Sequence, residues 1–139
     1  MFQKIFIVGN LGRDPEMRYT PSGQAVTNFS MASNRKYTGT DGQLVSETTW
    51  FRVSVWGKRA ETVSQYLRKG SKVLVEGRLR SDPQTGGPQV FTRQDGTCGS
   101  SYEVNASNVT FLSSRSEDDA YQVSEEPDTV SEDEGNIPF

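Results

Sequence analysis

ETTWFRVSVWGK, residues 47–58, is the stretch on which the fold turns. From Thr48 to Trp56, β-branched and aromatic residues alternate at period two, as in a strand with one dry face. Phe51, Val53 and Val55 fall on one side and form an ordinary core stripe. Trp50, Arg52, Ser54 and Trp56 fall on the other. Two indoles with a guanidinium are an odd composition for a surface that only meets water. Stacking of a base on an aromatic ring contributes roughly 1–3 kcal/mol, and arginine adds charge and cation–π contact. The set suits a single strand of nucleic acid, with exposed bases to stack and phosphates to neutralise. The alternative use of the two tryptophans is a second core or a subunit interface.

Outward from this strand the chain reads as short strands separated by turn residues. Lys4–Val8 is a β-branched and aromatic run stopped by Gly9-Asn10 and Gly12. Ala25–Ser33 follows the Pro21-Ser22-Gly23 turn and places Phe29 and Met31 on one face. Asn34–Ser46, with Gly39 and Asp41-Gly42, reads as a long hairpin loop. Downstream, Lys58–Lys69 carries Ala60, Val63 and Leu67 at helical spacing, with Gly70 as its C′ residue. Lys72–Arg80 is the fourth strand, and Gly77 within it marks a bulge or barrel corner. Its Lys72, Leu74, Glu76, Arg78 and Arg80 face away from Val73, Val75 and Leu79. Tyr102–Leu112 is the last strand. The prediction is an all-β fold, a five-stranded OB-fold barrel with one short helix between strands 3 and 4. A small open sandwich would produce much the same string.

Charge divides the chain at residue 112. Residues 1–112 hold 14 Lys and Arg against 9 Asp and Glu, whereas residues 113–139 hold 1 against 9. The net charge of −3 therefore combines a body at +5 with a tail at −8. A basic body suits a polyanion partner, although modest positive charge on a small domain is also common. The tail is rich in serines and acids and has few apolar residues, so it is expected to be disordered. It ends on Ile137-Pro138-Phe139, two large apolar groups that read as a docking peptide or else as an accidental apolar terminus. The expected domains are 1–112 and 113–139.

Several chemistries find no support. There is no histidine and only one cysteine, so imidazole catalysis and ordinary zinc sites are excluded. No nucleophile–base pair stands out, and the expectation is a binding protein without enzyme activity or cofactor. Cys98, among Gly96, Gly99 and Ser100, reads as an incidental loop residue in a reducing compartment. No apolar run approaches transmembrane length, and the start of the chain lacks a signal-peptide layout, so no membrane association is expected. The Asn-x-Ser/Thr matches at Asn28, Asn105 and Asn108 are then chance. Further binding candidates are Arg35, Lys36 and Tyr37 at the start of the long loop, and Phe91 with Arg93 in the Gly/Pro-rich segment 81–101. Lys72, Arg78 and Arg80 add charge on the fourth strand.

IVGNLGRDPEMRY (Ile7–Tyr19), ETTWFRVSVWGK (Glu47–Lys58) and YLRKGSKVLVEGRL (Tyr66–Leu79) resemble the bacterial single-stranded DNA-binding protein family. The resemblance runs over most of residues 1–112, and the Ile137-Pro138-Phe139 tip adds to it. It implies an OB barrel, assembly of four copies into a homotetramer, and single-stranded DNA wrapped around them. Carried over by position, it makes Trp50, Trp56 and Tyr37 stacking residues, with Phe91 a weaker match, and gives Arg52 and the nearby basic groups to phosphates. It further implies that the tip, Glu134-Gly135-Asn136-Ile137-Pro138-Phe139, recruits replication, recombination and repair enzymes in a cytoplasmic, nucleoid-associated setting. Tyr37 and Phe91 stand where the family often has tryptophan. The segment 82–99 is longer than usual, and Gly135-Asn136 separates the acids from the tip where the family usually has adjacent aspartates. An RNA-binding OB protein or a primosome accessory factor is the rival within binding modules.

Overall fold

Period-two alternation builds most of the computed structural model, which describes residues 1–113. The elements are β1 (Ile5–Leu11), β2 (Glu16–Tyr19), β3 (Ala25–Thr38), β4 (Leu44–Trp56), α1 (Lys58–Tyr66), β5 (Lys72–Arg80), β6 (Gln89–Thr92) and β7 (Cys98–Phe111). β1 pairs antiparallel with β5, β5 with β7, and β4 with β3, while β7 runs parallel to β4. β3 returns to β1 at Asn10↔Ala32 and Leu11↔Met31, so these five strands close into a barrel. The helix lies between the third and fourth strands of that ring in chain order, which is the OB arrangement and not the open sandwich. β2 takes the part of the β3 edge that β1 leaves free, and β6 pairs with the start of β7.

The inward residues come from every barrel strand. Ile7 and Leu11, Phe29 and Met31, Val53 and Val55, Val73 and Val75, and Val104 fill the interior, and Val63 with Leu67 plugs one end. Burial of each such side chain contributes about 1.5–3 kcal/mol over leaving it in water. Among the described residues Thr27 is the buried polar one, and its hydroxyl donates to the Ala60 carbonyl at 2.6 Å. That bond satisfies the hydroxyl and ties β3 to α1. Two glycines permit the barrel to close. A Cβ at Gly9 would fall on the Ala32 carbonyl oxygen, and one at Gly77 on that of Asn105. Gly77 also sits at the register shift between β5 and β7, the bulge the sequence predicts.

Five local expectations are corrected. Gly9-Asn10 does not stop β1, because the strand continues to Leu11 in order to cross onto β3. Asn34–Ser46 is not a long loop: β3 and β4 stay paired out to Thr38↔Leu44, and only residues 39–43 turn. The helix ends at Tyr66 with Leu67 as its cap, so Gly70 is not its C′ residue. Gly70, at φ +88°, instead serves a turn closed by the Ser71 N–H donating to Arg68 O at 3.0 Å. Leu79 is exposed, because β5 leaves the core after Gly77. Cys98 opens a strand and is exposed. No helix among the described residues is long and apolar enough to cross a membrane. The expectations for the tail and its tip lie outside the described residues.

Candidate nucleic-acid interface

β4 lies between β3 and β7, so its outward residues sit in the middle of a sheet face. Pairing registers arrange that face in rows across the strands. Trp50 stands beside Ala32, Arg52 beside Ser30 and Glu103, Ser54 beside Asn28 and Asn105, and Trp56 beside Val26. β2 extends two rows, placing Glu16 beside Asn28 and Arg18 beside Val26. β5 extends two on the other flank, with Arg80 beside Glu103 and Arg78 beside Asn105. Trp50 is 54% exposed and Trp56 42%. The Trp50 ring rests over Gly12, where a Cβ would meet indole Cζ3 at 2.6 Å. Between the indoles stand Arg52, its side chain 63% exposed, and Ser54, whose hydroxyl donates to Asn28 Oδ1 at 2.7 Å.

A groove of about 230 Å³ crosses this face. Arg13, Arg18, Arg52 and Arg80 line it, together with Asp14, Glu16 and Glu103. Arg52 Nη1 lies 3.9 Å from Glu103 Oε1 and Arg80 Nη1 3.6 Å from Glu103 Oε2. Arg18 lies 3.8 Å from Glu16, both well exposed. Such exposed pairs contribute little to stability and leave the guanidinium donors free for another anion.

Beyond the barrel, β3 and β4 continue as a two-stranded ribbon. The Arg35 guanidinium lies over the Tyr37 ring at 4.8 Å, and the Tyr37 hydroxyl donates to Glu47 Oε1 at 3.0 Å. That hydrogen bond, and then the charge of Glu47, raises the Tyr37 pKa above its ordinary value. β6 and the start of β7 form a second hairpin, beside the ribbon end of the parallel β4–β7 pair. Phe91 lies across Gly99, with Arg93 5.6 Å from its ring centroid. Arg93 Nη1 donates to the Cys98 carbonyl at 3.0 Å, and the turn is tightened where Asp95 accepts from the Thr97 hydroxyl at 2.6 Å and its N–H at 3.0 Å. These bonds, the hydroxyl first, lower the Asp95 pKa.

Two arms extend from one end of an aromatic and arginine-rich sheet face, a composition that would suit a flexible polyanion with exposed bases. A family model described as the single-strand binding protein family matches residues 2–112. The chain belongs to that family. It is 39% identical over 114 residues to the single-stranded DNA-binding protein of Neisseria meningitidis serogroup A, a match covering 82% of this chain and 62% of that one. It is 43% identical over 93 residues to single-stranded DNA-binding protein 1 of Chlorobaculum tepidum, covering 64% of this chain and 57% of the other. In structure it is similar to a deletion mutant of the single-stranded DNA binding protein from Thermus aquaticus. That match has a TM-score of 0.63 at 30% identity and covers 82% of this chain and 52% of that one. The chain thus spans less than two thirds of the length of these three family members.

Among the residues singled out from sequence, this family member gathers Trp50, Arg52, Trp56, Arg78 and Arg80 on one sheet face. Phe91 joins that side, since it pairs with Gly99, whose strand alternation matches Glu103. Tyr37 and Arg35 do not share it. By alternation they fall on the ribbon face continuous with the barrel interior, while Lys36 falls on the Trp50 side. Lys72 lies at the far end of β5, beside Asn10 of β1, and is not brought to the groove. Arg13, Arg18, Asn28 and Ser30 were missed. The signal for Arg18 lay in EMRY, a four-residue strand exposed throughout and so without alternating burial to betray it.

Proposed function

We propose that the chain binds single-stranded DNA without strong sequence preference along the outer face of β4 and its neighbours. The observation that carries this is the pair of half-exposed indoles, Trp50 and Trp56, flanking Arg52 on a sheet face with three further arginines around one groove. Bases stack on the indoles and on Phe91, and phosphates meet Arg52, Arg80, Arg78 and Lys36. Tyr37, with Arg35 over one ring face, offers its other face to a base that follows the strand around the ribbon. Every base has a π-face, so stacking of this kind tolerates any sequence. Titration with oligo-dT should quench the intrinsic tryptophan fluorescence, while duplex DNA leaves it nearly unchanged. An equal response to duplex, or none to oligo-dT, refutes the proposal, and a preference for oligo-U favours an RNA-binding OB module.

The chain works by binding, not by catalysis, with no cofactor. It protects single strands during replication, recombination and repair in the cytoplasm, at the nucleoid. It does so as a homotetramer. Supporting self-assembly, β1 pairs with β3 only at Asn10 and Leu11, which leaves one edge of Ile5–Gly9 open among the described residues, and Phe6 and Val8 beside it are exposed. Sedimentation showing only monomer at micromolar concentration would remove this part. The acidic tail recruits partner enzymes through Glu134-Gly135-Asn136-Ile137-Pro138-Phe139, with Phe139 in an apolar pocket and the acids on a basic rim. Deletion of residues 137–139 should abolish partner binding and leave oligo-dT affinity intact.

A further inference from the structure

We infer that Glu103 is a built-in brake on DNA affinity, a fixed carboxylate that lowers the potential of the groove at its most basic point. The inference rests on the single-strand binding proposed above. Registers on both sides place Glu103 directly between Arg80 of β5 and Arg52 of β4. Its two oxygens are divided between them, Oε1 toward Arg52 at 3.9 Å and Oε2 toward Arg80 at 3.6 Å. The Ser101 hydroxyl donates to Oε1 at 3.3 Å. The carboxylate is sunk below the rim, at 19% side-chain exposure, whereas the arginines stand out at 63% and 53%.

These distances decide between two roles. A carboxylate that orients a guanidinium holds it by short, charge-assisted bonds of roughly 2.7–2.9 Å, often in a fork. Glu103 makes no such bond to either arginine. The guanidinium donors remain free for phosphate, and what Glu103 contributes is charge. A phosphate seated on Arg52 and Arg80 would feel that partly buried negative charge from below, less screened than a fully exposed one. Binding stays weak enough at this row for a strand to leave it, although four arginines line the groove.

The test is Glu103→Gln in the full chain, with Glu103→Thr as a second neutral variant that keeps strand propensity. Affinity for oligo-dT, followed by fluorescence anisotropy, should rise roughly three- to ten-fold at low salt. The plot of log K against log salt should steepen by up to about 0.7, one additional phosphate equivalent on a single strand. Glu61→Gln on α1 removes the same formal charge away from the groove and should give a much smaller gain. Equal gains in Glu61→Gln and Glu103→Gln would overturn the inference by reducing it to net charge. Unchanged or weaker binding in folded Glu103 variants would overturn it in favour of an orienting role. Loss of the barrel in both, seen by thermal melting, would overturn it by making the carboxylate a folding element. If wild-type chain fails to bind oligo-dT, the proposed function itself has failed, a result distinct from all of these.

Discussion

Trp50→Ala separates binding from packing. The indole is 54% exposed, so just under half of its surface is covered by Gly12 and its neighbours. For a tryptophan that is roughly 100 Å². At about 25 cal/mol per Å², truncation removes at most about 2.5 kcal/mol of folding stability. Domains of this kind are stable by about 5–15 kcal/mol, so even the low end leaves more than about 98% folded at 25 °C. Affinity measured there reports binding alone. Loss of one stacked base, roughly 1–3 kcal/mol, weakens Kd by about 5- to 150-fold per site. Anisotropy of a labelled oligo-dT is the suitable assay, since the variant lacks one of the fluorophores that intrinsic quenching uses. Trp50→Phe, which keeps a stacking face, should recover most of the loss. An affinity within about two-fold of wild type, together with a lowered melting temperature, would refute the reasoning and assign the indole to packing or to an interface.

Arg52→Ala should weaken oligo-dT binding and make the salt dependence shallower by about 0.7, the share of one phosphate contact; an unaltered slope would contradict a phosphate role. Thr27→Val removes the 2.6 Å bond to the Ala60 carbonyl, which keeps its own helix partner, and should cost about 0.5–1.5 kcal/mol in denaturant unfolding without changing Kd for DNA. Gly77→Ala forces β5 away from the Asn105 carbonyl and should cost at least about 1–3 kcal/mol, read as a lower melting temperature; a neutral result would mean that the bulge relaxes freely.

The sequence displayed the fold wherever one side of a strand faces the core. Phe51, Val53 and Val55 against Trp50, Arg52 and Trp56 form a legible pattern because the barrel interior selects every second residue. That selection ends where a strand leaves the barrel. Asn34–Thr38 and Leu44–Thr49 are paired strand with both faces largely exposed, so polar residues and the Asp41-Gly42 turn read as loop. Leu79 failed for the same reason, since alternation continued past Gly77 while the core did not. The candidate binding face was legible as a composition, two indoles and an arginine, and the flanking arginines were only partly so. Arg18 reaches the groove through a β2–β3 pairing that no local pattern announces, and Tyr37 keeps the parity of Phe29 and Met31 along β3, a side concealed by reading residues 34–46 as a loop.

One consequence of this geometry is that the core and the candidate binding face are the same strand read in alternate residues. Val53 and Val55 fix the depth and tilt of β4, and through the pleat they also fix the height at which Arg52 and Trp56 stand. Trp50 and Trp56, six residues apart, are then separated by about 20 Å along an extended strand. Between them stand Arg52 and Ser54, with Ser30 and Asn28 beside them; the serine is low and hydrogen-bonded to Asn28, and Arg52 rises from the middle of the track, where a phosphate of a chain laid from one indole to the other would meet it. Other arginines sit to either side of this track, Arg18 on β2 and Arg80 on β5, where phosphates on a strand with inward-facing bases would emerge. A duplex cannot use such a surface, because its bases are already stacked and paired. Under the proposed function, preference for the single strand would follow from where the aromatic rings are held, and the arginines would set how tightly, and at what salt, the strand remains.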